Sequence, residues 1–268
     1  MKYFLACTLA FALLSPLSAQ LLPLNDAGIT FSHVHLNVKD VDAQKKFWTE
    51  QFGAKPLAHE KAAVPGVQVP GMIILLAKKD PTHATEGTIL DHFGFKVRNL
   101  EEMRKSLVAA GYRVDPEFKG TEGFPNAYTY GPDDVKIEMQ QDTTLTVRAA
   151  SHHQHFLLAD PMALRTWYVE KLSLTATRRG SFDTANASGQ NFTFGASKTA
   201  AGGTKGGSLD HIGLEVKNLE EYCKKLEAAG IKLDSPYRKI PALGIGIAFL
   251  TDPQGVYIEL TEGLEAWQ

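Results

Sequence analysis

Apolar and polar residues alternate along FSHVHLNV, residues 31–38. His33, His35 and Asn37 share one face, and Val34, Leu36 and Val38 the other. That period of two predicts a strand. Asp40 follows as a helix cap. Phe47, Trp48 and Phe52 then recur on one side as far as Gly53, which predicts a helix over 41–52 that stops at the glycine. MIILLA at 72–77 predicts another strand, with Pro65, Gly66, Pro70 and Gly71 marking turns before it. The order then repeats. ILDHFGFKVRNLEEMRKSLVAAG, 89–111, reads as a strand to 97, a helix over 100–110 and a terminal glycine. AYTY (127–130) and VKIEMQ (135–140) flank the turn Gly131-Pro132-Asp133-Asp134 as a hairpin.

A third unit starts near Val147, where SHHQHFLLADP (151–161) repeats the pattern of the first strand. Asp160 and Pro161 suit the cap and first position of a helix whose Trp167, Tyr168 and Leu172 echo Phe47, Trp48 and Phe52. FTFGA supplies a strand, and TAAGGTKGG (199–207) reads as a flexible loop. A fourth unit opens with SLDHIGLEVKNLEEYCKKLEAAG (208–230), a near-copy of 89–111, and closes on a hairpin around Asp252-Pro253-Gln254-Gly255. The chain is therefore an internal duplication of four strand–helix–strands units in two pairs, offset by about 120 residues.

Composition sets the surroundings. With 268 residues, 44% hydrophobic and 22% charged, the chain suits one or two globular domains. A net charge of −2 without a basic run gives no nucleic-acid surface. Residues 1–20 stand apart. Lys2, the apolar run Phe4–Leu14 and the small residues up to Ala19 read as a secretory signal, too short to span a bilayer. An exported chain, periplasmic or secreted, with no membrane span once mature is the expectation. Removal of that segment takes Cys7 with it and leaves Cys223 alone, so neither an internal disulfide nor thiolate metal ligation is expected.

Three chemically capable positions recur with the repeat. They are the histidine pairs His33/His35 and His153/His155, the lone strand histidines His92 and His211, and the closing-strand glutamates Glu138 and Glu259. Each glutamate lies between apolar neighbours, Ile137 and Met139 or Ile258 and Leu260, that point to the opposite face. A carboxylate facing an interior needs a partner charge or a metal. Two neutral imidazoles and one carboxylate suit a divalent cation with open coordination positions, Fe(II) foremost, with Mn(II), Zn(II) or Ni(II) as other occupants. Taken singly, a strand histidine is more often a core or surface residue, and a strand glutamate usually faces solvent. Joint recurrence of all three positions favours the metal reading. His59, His83 and His152 do not recur and receive no role.

SHVHLNV with its helix, LDHFGFKV and VKIEM, repeated as HHQHFLLAD, LDHIGLEV and LTDPQGVYIEL, resemble the vicinal oxygen chelate superfamily of glyoxalase I, fosfomycin- and bleomycin-resistance proteins and extradiol dioxygenases. The resemblance covers nearly the whole mature chain. It implies an α+β fold of two tandem domains, 28–145 and 146–268, each of two βαβββ units forming a half-open barrel. Metal ligands would fall on His33, His92 and Glu138 and on His153, His211 and Glu259. With neighbouring units paired, the simple case, each half holds one set; exchange between first and fourth units also occurs in the family, and the sequence leaves the pairing open. His35 and His155 are extra and are read as groups that support the ligands or act as acid–base groups, with a structural role as the alternative; Tyr128 stands at the tyrosine position of the dioxygenase signature. Phe249 stands there in the second half, and the signature's accompanying histidine is missing from both. Neither MIILLA nor NFTFGA offers the additional glutamate on which glyoxalase I relies. The expected activity is metal-dependent chelation of vicinal oxygens on a small substrate, leaning to a dioxygenase. A glyoxalase-like lyase or isomerase and a metal-free sequestering protein are the alternatives. The chain is expected as a monomer or homodimer, either with both sites active or with one degenerate, and NASGQ and TAAGGTKGG are expected as a lid over the second site.

Overall fold

The structure, a computed structural model, describes residues 21–57 and 64–267. The predicted signal segment, residues 1–20, and His59 lie outside them. Among the described residues no helix is long and apolar enough to cross a membrane.

All four units form. The first comprises β1 (Ile29–Val38), α1 (Val41–Phe52), β2 (Lys55–Pro56), β3 (Gly66–Val69) and β4 (Met72–Lys78). The second comprises β5 (Leu90–Val97), α2 (Leu100–Ala109), β6 (Arg113–Val114), β7 (Phe118–Lys119), β8 (Pro125–Tyr130) and β9 (Lys136–Gln141). The third comprises β10 (Ala149–Leu158), α3 (Pro161–Leu172), β11 (Thr175–Arg179), β12 (Phe182–Ala187) and β13 (Gln190–Ala196). The fourth comprises β14 (Leu209–Val216), α4 (Leu219–Ala228), β15 (Leu233–Ile240), β16 (Ile245–Thr251) and β17 (Tyr257–Glu262). The caps act as their chemistry dictates. Asp40 accepts hydrogen bonds from the amides of Asp42 and Ala43, Asp160 from that of Ala163, and Gly53 ends α1 in the left-handed region at φ 70°.

The sheets combine units from different halves. One runs β15-β16-β17-β14-β1-β4-β3-β2, uniting the first and fourth units; the other runs β11-β12-β13-β10-β5-β9-β8-β6, with β7 beside β8, uniting the third and second. The two units of one half do not share a sheet, so the simple pairing is corrected to the exchanged one. The two sheets with their helices instead meet through aromatic side chains. Trp48 of α1 lies against Phe93 and Phe95 of β5, with ring centroids 6.0 and 5.8 Å away, and Phe31 of β1 lies edge-on to Phe192 of β13 at 6.0 Å. Trp48, Phe93, Phe95, Phe31 and Phe192 are all fully buried in one continuous core.

At the centre of each sheet an antiparallel pair, β1 with β14 or β10 with β5, carries two register breaks. The breaks leave Ser32 and Asp210 unpaired in the first sheet, and His152 and Asp91 in the second. Each is a bulge, which turns a side chain out of strict alternation. Loop 199–207, expected as part of a lid, is joined to a second loop. It is tied by backbone hydrogen bonds to the loop before β5: Thr82 N to Gly206 O, Ala201 N to Gly87 O and Ile89 N to Gly202 O.

Candidate metal centres

The exchange of units regroups the six predicted ligands. His33 on β1, His211 on β14 and Glu259 on β17 form site one. His92 on β5, Glu138 on β9 and His153 on β10 form site two. Each set therefore draws on both halves, and the grouping by halves, His33/His92/Glu138 and His153/His211/Glu259, is corrected.

In site one, Nε2 of His33 and Nε2 of His211 each lie 3.0 Å from Oε2 of Glu259, with the rings nearly perpendicular. In site two, Nε2 of His92 lies 2.9 Å and Nε2 of His153 3.3 Å from Oε2 of Glu138. Ligand atoms about 2.0–2.1 Å from a tetrahedral cation sit about 3.4 Å apart, so both sets converge at a spacing suited to one.

The bulges supply the outer support. In site one, Oδ1 of Asp210 is 2.7 Å from Nδ1 of His211, while Oδ2 of Asp210 accepts from the Gly206 amide and from Nδ2 of Asn37. In site two, Oδ2 of Asp91 is 2.7 Å from Nδ1 of His92, and Asp91 is held by the Gly87 amide and Lys136 Nζ. A carboxylate on Nδ1 keeps that nitrogen protonated and turns the Nε2 lone pair toward a cation. Ser32 Oγ approaches Nδ1 of His33 at 3.0 Å, and His152 Nδ1 approaches Nδ1 of His153 at 3.1 Å. His152 thus touches site two although its type does not recur. Room for the rings comes from Gly213, opposite His33, and Gly94, opposite His153: a Cβ at either would overlap the imidazole. The aspartates and glycines went unassigned in the sequence, yet LDHxG repeats intact in both copies and carried the signal.

Electrostatics favour ligation. Burial lowers the pKa of His33, and burial followed by the Arg179 guanidinium lowers that of His153 to about 3, so both imidazoles stay neutral. Burial also presses on His92 and His211, but the flanking carboxylates outweigh it and raise both. Burial would raise Glu138 and Glu259; their histidine partners, His153 first for Glu138 and His211 first for Glu259, hold both below the usual carboxylate range. A cation would take the place of the protons shared between these groups.

The three predicted acid–base residues lie beside the triads. The His35 ring is tilted against His211 with centroids 4.4 Å apart, and burial holds its pKa down to about 3. His155 lies 4.7 Å from His92, and burial likewise brings its pKa to about 3. Tyr128, across from Glu138 in β8, has its ring 5.1 Å from His92 and stacks on Phe118; burial and Glu138 raise its pKa, so its hydroxyl keeps its proton.

Site one opens on a cavity of about 230 Å³. Besides the triad and His35, its lining among the described residues is Val64, Leu75, Ile240, Leu243, Ile245, Ile247, Phe249, Thr261, Leu264 and Trp267, without a lysine or arginine. The turn bearing Leu264 and Trp267 is pinned by buried Glu215, which accepts from the amides of Gly263 and Leu264 and from Thr261 Oγ1. Site two is walled by polar groups instead. Asn126 Nδ2 donates to Oε1 of Glu138, and buried Arg179 reaches Thr193 Oγ1 at 3.0 Å and Glu122 at 3.4 Å.

The description "Glyoxalase/Bleomycin resistance protein/Dioxygenase superfamily" belongs to a family model that matches residues 30–139 and again 151–260. Glyoxalase I from Zea mays superposes with a TM-score of 0.69 at 15% identity, covering 89% of this chain and 94% of that one. A protein from Bacillus subtilis subsp. subtilis str. 168 titled "putative dioxygenase" superposes with 0.62 at 11% identity, covering 91% and 86%. These likenesses are of fold. No curated protein matches the sequence. The double family match, over four βαβββ units whose paired sheets carry the recurrent histidines and glutamates, makes this chain a member of the glyoxalase/bleomycin resistance protein/dioxygenase superfamily, with two tandem domains of that type.

Proposed function

We propose that the protein is a metal-dependent enzyme of dioxygenase type, acting at site one on a small, largely apolar molecule that presents two adjacent oxygens. One observation carries this reading: the His33, His211 and Glu259 donors face a cavity whose lining among the described residues is apolar and without a cationic side chain. Two histidines and one carboxylate with positions left open are the donor set of non-haem Fe(II) oxygenases. A cation held there supplies Lewis acidity and a template for two neighbouring oxygens. The cavity's size suits a ring-sized body, since about 150 Å³ accommodates benzene. A charged substituent would be desolvated there without a cationic partner among the described residues, which argues against thiol adducts bearing several charges. Beneath Leu75, β4 has no carboxylate toward the site; Ile73 and Leu75 stand opposite His33 and His35. The proton relay of a glyoxalase therefore lacks its glutamate.

The chain's own residues have distinct tasks. Phe249, Ile247 and Trp267 surround the apolar body and exclude water. His35, which lines the cavity beside His211, is placed to hydrogen-bond a substrate hydroxyl. Asp210 fixes the orientation of His211. For a vicinal aromatic diol, one ring carbon–carbon bond breaks and both atoms of dioxygen enter the product, which gains a carboxylic acid and a carbonyl.

The test uses the full chain purified without oxygen, loaded with Fe(II) and offered neutral alkyl- or aryl-substituted catechols. The expected result is dioxygen uptake matching substrate loss one for one, abolished by His211→Ala. Turnover of 2-oxoaldehyde adducts with Zn(II) or Ni(II), and none of catechols with Fe(II), would replace this reading with a lyase or isomerase. Tight ligand binding by the metal-free protein without any turnover would make it a sequestering protein.

A further inference from the structure

The two triads are built alike, but their surroundings are not. At site two, His155 joins the donors: ligand atoms of His92, Glu138, His153 and His155 all lie within 4.8 Å of one another. His35, its counterpart on β1, does not join His33, His211 and Glu259 in such a group. His155 is 8% exposed, and neither of its ring nitrogens has a hydrogen-bond partner. Burying an imidazole with both nitrogens unsatisfied is costly, and a bound cation would satisfy one of them. Nε2 of His153 is also unpartnered by a well-formed hydrogen bond, although it points to Glu138.

Site two is also shut. Arg179, 6% exposed, extends from the end of β11 to Glu122 in the loop between β7 and β8. Next to it Thr121 Oγ1 meets Ser181 Oγ at 2.8 Å and accepts from the Ser181 amide. The positions facing the donors are Asn126, Tyr128, Gln140, Asn191 and Thr193, where site one has Ile247, Phe249, Thr261, Ile73 and Leu75. Catalytic metal sites keep a position open to substrate, whereas structural ones close on four protein donors.

We infer that site two is a structural metal centre, closed on His92, Glu138, His153 and His155, which ties the second and third units together and leaves substrate chemistry to site one. This rests on the reading of both clusters as metal sites and adds that His155 is a ligand rather than an acid–base group. The four donors come from β5, β9 and β10, so a cation there crosslinks strands from both sequence halves. It would bind the folded chain far better than the unfolded one and stabilise it by mass action.

Co(II) tests this without any turnover assay, because four-coordinate Co(II) absorbs visible light much more strongly than five- or six-coordinate Co(II). The intact chain, stripped with a chelator and titrated with Co(II), is expected to bind two ions, one of them giving the intense spectrum. His155→Gln should lose that spectrum, weaken one site by at least about 100-fold, beyond the 10–100-fold typical of outer-shell changes, and lower the Tm of the loaded protein but not of the stripped one. His35→Gln should leave the intense spectrum in place. If His155→Gln fails to fold, His211→Gln serves instead: with site one disabled, the remaining ion must still give the intense spectrum. An unchanged spectrum and affinity in His155→Gln, or a weak spectrum from the site left in His211→Gln, overturns the inference. Either result leaves the catechol reaction at site one standing, and failure of that reaction leaves the Co(II) outcome standing.

Discussion

Site one and site two share a backbone plan, a triad and a pair of bulges, and they differ in almost every side chain that looks at the triad. Leu75 on β4 corresponds to Thr193 on β13, and Phe249 on β16 to Tyr128 on β8. Where site one keeps a cavity beneath Trp267, site two holds Arg179 against Glu122. The candidate metal donors thus reside in the repeated strands, and the chemistry that surrounds them in the unrepeated facing residues. Fold and donor set alone do not specify a reaction.

The largest effects should separate the two glutamates. Glu259→Gln removes the carboxylate from the open site, and turnover should fall below detection while the chain still unfolds cooperatively. Glu138→Gln should show itself mainly as lost stability. It leaves His92 and His153 in the interior without their carboxylate, at a cost of about 3 kcal/mol on the scale of broken buried ion pairs. Side-by-side denaturant titrations and turnover assays check both. Equal activity losses in the two variants would mean that site two is catalytic as well.

The asymmetry between these sites was only partly legible in the sequence. The duplication and the helix caps could be read from local patterns, because strand alternation and capping are short-range, and the six candidate donor positions from their recurrence with the repeat and the family resemblance. The grouping of ligands was not legible, because it follows from the packing of Trp48 on Phe93 and Phe95, contacts between residues some 45 apart that no local pattern encodes. The bulges were hidden for another reason. Strict alternation sends Asp91 and His92 to opposite faces, and only the register break on β5 brings the carboxylate to Nδ1. His35 and His155 look equivalent in sequence; their difference arises from Arg179, whose charge acts on His155, and from Phe182, whose ring lies 5.5 Å from it.

Effects one step smaller should come from the aspartates. Asp210→Asn and Asp91→Asn keep the shape but weaken the hold on Nδ1. Each should lower metal affinity at its own site by about 10–100-fold and leave the other unchanged. Competition with a coloured chelator resolves the two sites in each variant. A single variant that weakens both would show that the centres are coupled through the loops 82–89 and 199–207, whose backbones are joined and whose glycines feed both aspartates.

The smallest change asks whether the facing residues decide the ligand. Leu75→Thr places in site one the residue that site two has at 193, directly opposite His35 and on the cavity wall. It touches neither the triad nor Asp210, so kcat should hold. The substrate's apolar body loses contact with a branched side chain and meets a hydroxyl that has no partner among Ile245, Ile247 and Phe249. Discrimination by one or two methylene-sized contacts amounts to about 1–3 kcal/mol, so KM for an alkyl- or aryl-substituted diol should rise roughly tenfold, and that for the unsubstituted diol much less. If kcat fell with KM unchanged, Leu75 would be acting on the reacting atoms, and the apolar wall would not be what distinguishes the two sites.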